Sequence, residues 1–182
     1  GSNGKTTTTQ MIASILQARY GDKALATKGN FNNDIGVPLM LWCLRDAHEA
    51  AVIETGMNHP GEMRYLAGLV QPTVAVVTNA QREHQEFLQT VEATARENGQ
   101  IIKALPSQGT AIIPIDDACK DIWLEMAGHC NVLTFGLSEH ADVSAKVVSY
   151  KHGQMAVQIK TPSGLANVMM PVSYTHLRAH ET

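Results

Sequence analysis

The run Gly1-Ser2-Asn3-Gly4-Lys5-Thr6-Thr7, followed by Met11, Ile12, Ile15 and Leu16 at helical spacing, restricts what this chain can fold into more than any other stretch. Small residues let the backbone turn tightly, so that successive N–H groups face one point; Lys5 adds a positive charge there and Thr6 a hydroxyl. Such a turn joins a strand to a helix, and a phosphate then rests on the helix N-terminus. The helix is expected to stop at Gly21. The full phosphate-binding pattern carries another glycine, which would lie upstream of Gly1, so a strand and that glycine are expected ahead of this sequence. The alternative is a Gly-Ser-Asn turn leading into a Thr-rich helix start; the Lys5-Thr6 pair and the helix behind it favour the phosphate loop.

Downstream, short apolar runs alternate with helical patterns. Ala50 to Ile53, Val74 to Val77, Ala111 to Ile113 and Val132 to Phe135 read as strands, and 63–70, 91–105 and 117–127 as helices. β-branched runs between helices predict a parallel sheet covered on both faces. From about residue 143 the apolar residues alternate: Val143, Ala145 and Val147; Met155, Val157 and Ile159; Ala166, Val168 and Met170. That is the period of half-buried strands, and His152-Gly153 and Pro162-Ser163-Gly164 are turn signals between them. The expected fold class is therefore α/β, a mostly parallel sheet flanked by helices and followed by a small antiparallel meander over about 143–172.

With 182 residues the chain can bury one sizeable core. No apolar run reaches the roughly 20 residues of a membrane span, and no secretory signal is visible. A net charge of -3 without Lys/Arg clusters argues against a nucleic-acid surface and for small anionic partners. Cys43, Cys119 and Cys130 contain no C-x-x-C pair, so neither a disulfide framework nor a zinc site is indicated. Reduced, cytoplasmic surroundings fit, with each cysteine read as a small apolar side chain in or near the core.

Ligands of open α/β sheets gather where strands end. Glu54 ends the Ala50 run, where a carboxylate can join Thr6 and phosphate oxygens around Mg2+; a solvated strand-end glutamate is the equal alternative. Thr78-Asn79 ends the next run, and His84 follows a short polar loop, where its imidazole can face the same edge, although a lone histidine is more often structural. His48, His59, His129, His140 and His152 read as surface or capping residues. The stretch from Thr27 to Pro38, with Asn30, Asn32, Asn33 and Asp34, either binds a polar ligand or makes turns through its own side-chain amides. Pro38 suits the first turn of a helix carrying Leu39, Leu41, Trp42 and Leu44.

Four segments together resemble the ATP-dependent Mur ligase family: G-S-N-G-K-T-T at 1–7, G-N-F-N-N-D-I-G-V-P at 29–38, V-I-E-T-G-M-N-H-P-G-E at 52–62 and T-N-A-Q-R-E-H at 78–84. The resemblance runs from Gly1 to about Val172, and its second and third segments look like the members that add D-alanyl-D-alanine. It implies a central ATPase domain over 1–172 of an amide ligase that uses ATP and Mg2+ in peptidoglycan synthesis, and so in cell wall biogenesis, cell shape and cell division. The implied substrates are UDP-MurNAc-tripeptide and D-Ala-D-Ala, joined through an acyl phosphate by a cytoplasmic monomer with no nucleic-acid partner. By the same resemblance Gly1 to Thr7 cradle the nucleotide, Lys5 stabilises the β- and γ-phosphates, Thr6 and Glu54 hold one Mg2+, and His84 helps hold a second and serves catalysis beside Lys5. Asn30, Asn32, Asn33, Asp34, Asn58 and His59 would face the muramoyl peptide.

Two departures stand out. Family members commonly place a carbamylated lysine in an A-x-x-K-G-E segment, and here Ala95-Arg96-Glu97-Asn98-Gly99-Gln100 puts Asn98 in its place. An amide cannot carry the carbamate, so Glu97, water or weaker binding of a second metal would have to substitute. Residues 173–182 do not follow the family, which would continue with Gly-x-His-Asn, and His176 and His180 are assigned no function. The fragment, without the flanking domains, is expected to turn over no substrate and to bind ATP weakly at most. The rival readings are a P-loop kinase or NTPase, which would pair Lys5-Thr6 with a strand-end aspartate, and a non-catalytic nucleotide-binding module.

Overall fold

Helix α1 (Lys5–Tyr20) begins where Gly4 takes a left-handed turn, φ 77°, which a side chain would resist, and ends at Gly21, φ 56°, whose N–H reaches back to the Gln17 carbonyl. The structure, a computed structural model, describes residues 1–81, 90–151 and 153–171. These form two compact units, one of residues 1–113 with 117–132 and one of 114–116 with the described residues from 133 onward. His84, His152, Val172 and the whole 173–182 tail lie outside the described residues.

In the first unit α1 packs on two short parallel strands, β1 (Ala24–Ala26) and β2 (Ala50–Val52). β1 is too short to show an alternating pattern, and the sequence reading passes over it. Ile12 and Leu16 turn inward, while Met11 and Ile15 of the same helical set are exposed. Helix α2 (Gly36–Trp42) carries Pro38 in its first turn, but it ends before Leu44, which the sequence places on it. Helix α3 (Glu62–Val70) buries Met63, Leu66 and Ala67.

Strand β3 (Val74–Val76) leads through residues 78–81 and the undescribed stretch to α4 (Val91–Asn98), then α5 (Gln100–Lys103), β4 (Thr110–Pro114) and α6 (Lys120–Met126). The expected single helix over 91–105 is broken at Gly99, whose N–H closes on Ala95 while the Ile102 N–H reaches only to Gly99. Strand β3 pairs in parallel with β4, as the β-branched runs predict. The core behind the pair is Ala75, Val77, Ile102, Leu105, Ala111, Ile113 and Ala127, gathered around a fully buried Trp123.

In the second unit the later part of β5 (Asn131–Gly136) runs parallel to β6 (Val143–Lys151), and β6, β7 (Gln154–Thr161) and β8 (Gly164–Pro171) form the expected antiparallel meander. Its turns use Gly153, φ 72°, and Gly164, φ 134°. Half-burial is met only in part: Val157 is buried, whereas Val147 and Val168 are exposed. A register shift between Val147 and Ser149 interrupts the alternation on β6.

The parallel entry to the meander is tied by Asp142, which accepts hydrogen bonds from the Thr134 N–H (2.8 Å) and hydroxyl (2.6 Å) and returns its own N–H to that hydroxyl at 3.0 Å. The Thr134 hydroxyl and N–H hold the Asp142 carboxyl below its ordinary range. A depressed folded-state pKa gives stability that is present above the unfolded value and is lost as pH falls through the folded one. Resistance to denaturant should therefore fall below about pH 4, and Asp142→Asn should flatten that part of the profile. The exposed site limits the effect to about 1 kcal/mol or less, and an unchanged acid slope in the variant would remove the assignment.

Candidate functional site

The loop ahead of α1 is held from the side by the segment that follows β3. The Ser2 N–H donates to the Asn79 carbonyl at 3.0 Å, the Asn3 N–H to the Asn79 side-chain oxygen at 2.9 Å, and the Thr78 hydroxyl to the Asn3 carbonyl at 2.8 Å. Gln81 closes the set: its N–H donates to the Ser2 hydroxyl (2.9 Å), and its side-chain oxygen accepts from Asn3 Nδ2 (2.5 Å). A Cβ on Gly1 would collide with Thr78, so the first residue has to be this small. Asp117, at the end of the turn before α6, fixes the same segment by accepting the Ala80 N–H at 3.0 Å.

Two features prepare the loop for an anion. Helix α1 has no side-chain cap and no acidic residue of its own in its first turn, so no side chain of the helix occupies its positive dipole end. Lys5 sits at the same place, its ammonium donating to the Gly1 and Ser2 carbonyls at 2.7 Å each.

Beneath the loop lies Glu54, 5% exposed at the end of β2. Its Oε1 accepts from the Thr6 hydroxyl at 3.2 Å and from Asn32 Nδ2 at 2.7 Å, and its backbone N–H donates to the Thr27 hydroxyl at 2.8 Å. This is a held carboxylate, not a solvated strand end. Thr6 and Glu54 offer two hard oxygens a hydrogen bond apart, which suits Mg2+ with phosphate oxygens and water completing its shell. Among the described residues no three His, Cys, Asp or Glu side chains gather as a ready metal cage. His84, which the sequence adds to this site, lies outside the described residues.

The asparagine-rich stretch divides its labour. Asn32 orients Glu54, and its carbonyl accepts the Gly56 N–H at 2.6 Å. Asn33 Oδ1 caps α2 by accepting from Gly36 (2.8 Å) and Ile35 (3.3 Å), while Asn30 and Asp34 are exposed. Gly36 is obligatory there, since a Cβ would run into the Phe31 backbone.

Asn58 and His59 lie on the neighbouring loop, both tied to Glu62: the two N–H groups donate to Glu62 Oε2 at 2.7 and 3.2 Å, and His59 Nδ1 sits 2.7 Å from Oε1. Burial pushes the Glu62 carboxyl up, but the bonds from the Asn58 N–H and from the His59 ring and N–H outweigh it, and the net shift is downward. Glu97 caps α3 from the side by accepting the Gly61 N–H at 2.7 Å. Glu97 is thus engaged with α3. Asn98, 3% exposed, has an Nδ2 without a partner among the described residues. The sequence names Thr27, Asn79 and Gln81 without giving them roles, since nothing in a linear pattern distinguishes a hydroxyl that orients Glu54 from one that makes a turn. Cys43 is exposed, against its expected place in or near the core, because α2 ends just before it, while Cys119 is buried and Cys130 half-buried.

Comparison with known proteins identifies the family. The family model described as the Mur ligase middle domain matches residues 1–176. The UDP-N-acetylmuramoyl-tripeptide–D-alanyl-D-alanine ligase of Haemophilus influenzae is 37% identical over 97% of this chain, and that of Escherichia coli K12 is 34% identical over the same share. The chain spans 38% and 39% of the length of these two relatives. Among solved structures, a MurF crystal structure from Acinetobacter baumannii superposes with a TM-score of 0.89 at 36% identity, over 98% of this chain and 38% of its own. MurF from Thermotoga maritima, crystallised in complex with ADP, gives 0.82 at 30% identity over 93% of this chain and 38% of its own. With the family model over residues 1–176 and relatives of this identity, the chain belongs to the Mur ligase family, within whose middle domain it falls.

Proposed function

We propose that the polypeptide to which this chain belongs is the ATP-dependent ligase that joins D-Ala-D-Ala to UDP-MurNAc-tripeptide in peptidoglycan synthesis, and that these residues supply its ATP site. The observation that carries the reading is the contact of Thr6 with the buried Glu54 directly behind the Gly4-Lys5 turn. The curated relatives, which bear that activity in their names, support the choice of substrates.

In the reaction, a carboxylate oxygen of the tripeptide attacks the γ-phosphorus, the bond to the β-phosphate oxygen breaks, and ADP leaves. The amine of D-Ala-D-Ala then attacks the acyl carbon, the bond to the phosphate oxygen breaks, and the amine loses a proton as the amide forms. The work left to the protein is positioning and charge neutralisation. The N-terminus of α1 and the turn from Gly1 to Thr7 hold the phosphates, and Lys5 transfers its ammonium from its own loop carbonyls to the β- and γ-phosphate oxygens. Thr6 and Glu54 would hold Mg2+, which when bound neutralises phosphate charge. Asn32 and Thr27 keep the Glu54 carboxylate aimed at that point. The Asn30 to Asp34 stretch, with Asn58 and His59, would face the muramoyl peptide, and His84 would help hold a second Mg2+.

The strand-end residue behind the loop is a glutamate anchored by an asparagine, which favours this reading over a kinase that would use an aspartate. The intact enzyme is proposed as a cytoplasmic monomer. Separately, no helix among the described residues is long and apolar enough to cross a membrane. The test is phosphate release by the intact enzyme. Release that requires both UDP-MurNAc-tripeptide and D-Ala-D-Ala and yields the amide is expected; phosphorylation of a hydroxyl acceptor instead would replace this reading with the kinase.

A further inference from the structure

Helix α3 starts at Gly61, φ 90°, a residue with no side chain to cap the N–H groups of the first turn. Two carboxylates take over that task. Glu62, inside the helix, accepts the Asn58 and His59 N–H groups. Glu97, 36 residues beyond Gly61 on α4, accepts the Gly61 N–H at 2.7 Å and the Met63 N–H at 3.2 Å, both on Oε1. Ionised acceptors on backbone N–H groups at a helix N-terminus make the stronger class of hydrogen bond.

Four backbone donors between Asn58 and Met63 are therefore held by carboxylates, while the Asn58 and His59 side chains are exposed. The backbone is fixed and the side chains it carries face outward. Glu62 belongs to the segment it ties down, whereas Glu97 reaches it from another helix. That helix is itself fixed, since the Ala95 carbonyl, two residues before Glu97, accepts the indole N–H of the fully buried Trp123. Position is thus passed from the core through α4 and Glu97 to the loop carrying Asn58 and His59. The phosphate loop is held by a separate set of bonds, from Thr78, Asn79 and Gln81, in which Glu97 has no part.

We propose that Glu97 is a positioning residue for the muramoyl-peptide substrate: by holding the start of α3 it sets where Asn58 and His59 stand, and it governs affinity for that substrate and not for ATP or D-Ala-D-Ala. This role rests on the reading in which Asn58 and His59 face the muramoyl peptide. It also gives the carboxylate a use other than the metal substitution that the sequence offers it. Steady-state kinetics of the intact enzyme, with each substrate varied in turn, are the test. Glu97→Ala is expected to raise the KM for UDP-MurNAc-tripeptide by about tenfold, with kcat and the other two KM values moving by less than about twofold. Glu97→Gln keeps an oxygen acceptor for both N–H groups and should stay within about threefold of wild type. Glu97→Asp, one methylene shorter, should behave like the alanine variant, and it gives the decision if that variant fails to fold.

An unchanged tripeptide KM in the alanine and aspartate variants overturns the proposal. So does a rise shared equally by all three substrates, which would make Glu97 a structural cap alone. His59→Ala separates this inference from the reading beneath it: a raised tripeptide KM there with none in the Glu97 variants sinks the positioning role and keeps the loop facing the peptide, whereas no change in either sinks both.

Discussion

Trp123→Ala is expected to cost most of the stability of the first unit. The side chain is fully buried at the centre of the core, and its indole N–H donates to the Ala95 carbonyl at 2.8 Å. Truncating a buried tryptophan costs about 3–5 kcal/mol through lost burial and the cavity left behind, and the Ala95 carbonyl, which keeps the Gly99 N–H, loses its second donor at a further net cost of about 0.5–1.5 kcal/mol. Against a typical net stability of about 5–15 kcal/mol, that removes a large share of the margin or all of it. Trp123→Phe keeps most of the ring and should lose much less. Urea titration followed by circular dichroism decides the matter, and a loss below about 1 kcal/mol for the alanine variant would mean that the core does not close on this ring.

Glu54→Gln in the intact enzyme is expected to lower kcat/KM by at least about 10²-fold, equivalent to about 2.7 kcal/mol of transition-state stabilisation. The substitution keeps the shape, the Thr27 contact and an acceptor for Asn32, so the fold should survive; what it removes is the negative charge facing Thr6. The Mg2+ concentration for half-maximal rate should rise alongside, because an amide oxygen is a weaker ligand than a carboxylate. Wild-type turnover and an unmoved Mg2+ requirement in the variant would take Glu54 out of the metal shell.

The sequence makes the phosphate loop and its helix legible because both depend on local chemistry: glycines where the backbone turns back, and a lysine and threonine at fixed offsets. Glu54 is legible as a position but not as a state, since its burial depends on Asn32 and Thr27, which are 22 and 27 residues away in the chain. Strand β1 is hidden by its length of three residues. The break at Gly99 is hidden for the opposite reason, because the apolar spacing runs on through it while the hydrogen bonding does not. On β6 and β8 alternation reports which residues share a face, but it does not say whether anything covers that face, and Val147 and Val168 remain exposed.

The resting posture of Lys5 bears on selectivity. Its ammonium is already satisfied by two carbonyls of its own loop, so an arriving anion competes with bonds already made. Charge-assisted hydrogen bonds of this kind are each worth about 1.5–3 kcal/mol. Chloride or a lone carboxylate, with one charge to offer, gains little by displacing them, whereas a polyphosphate tail spreads several charges over the loop at once. The lysine thus works as a threshold that abundant monovalent ions fail to cross, leaving the turn ready for the scarcer, more highly charged ligand.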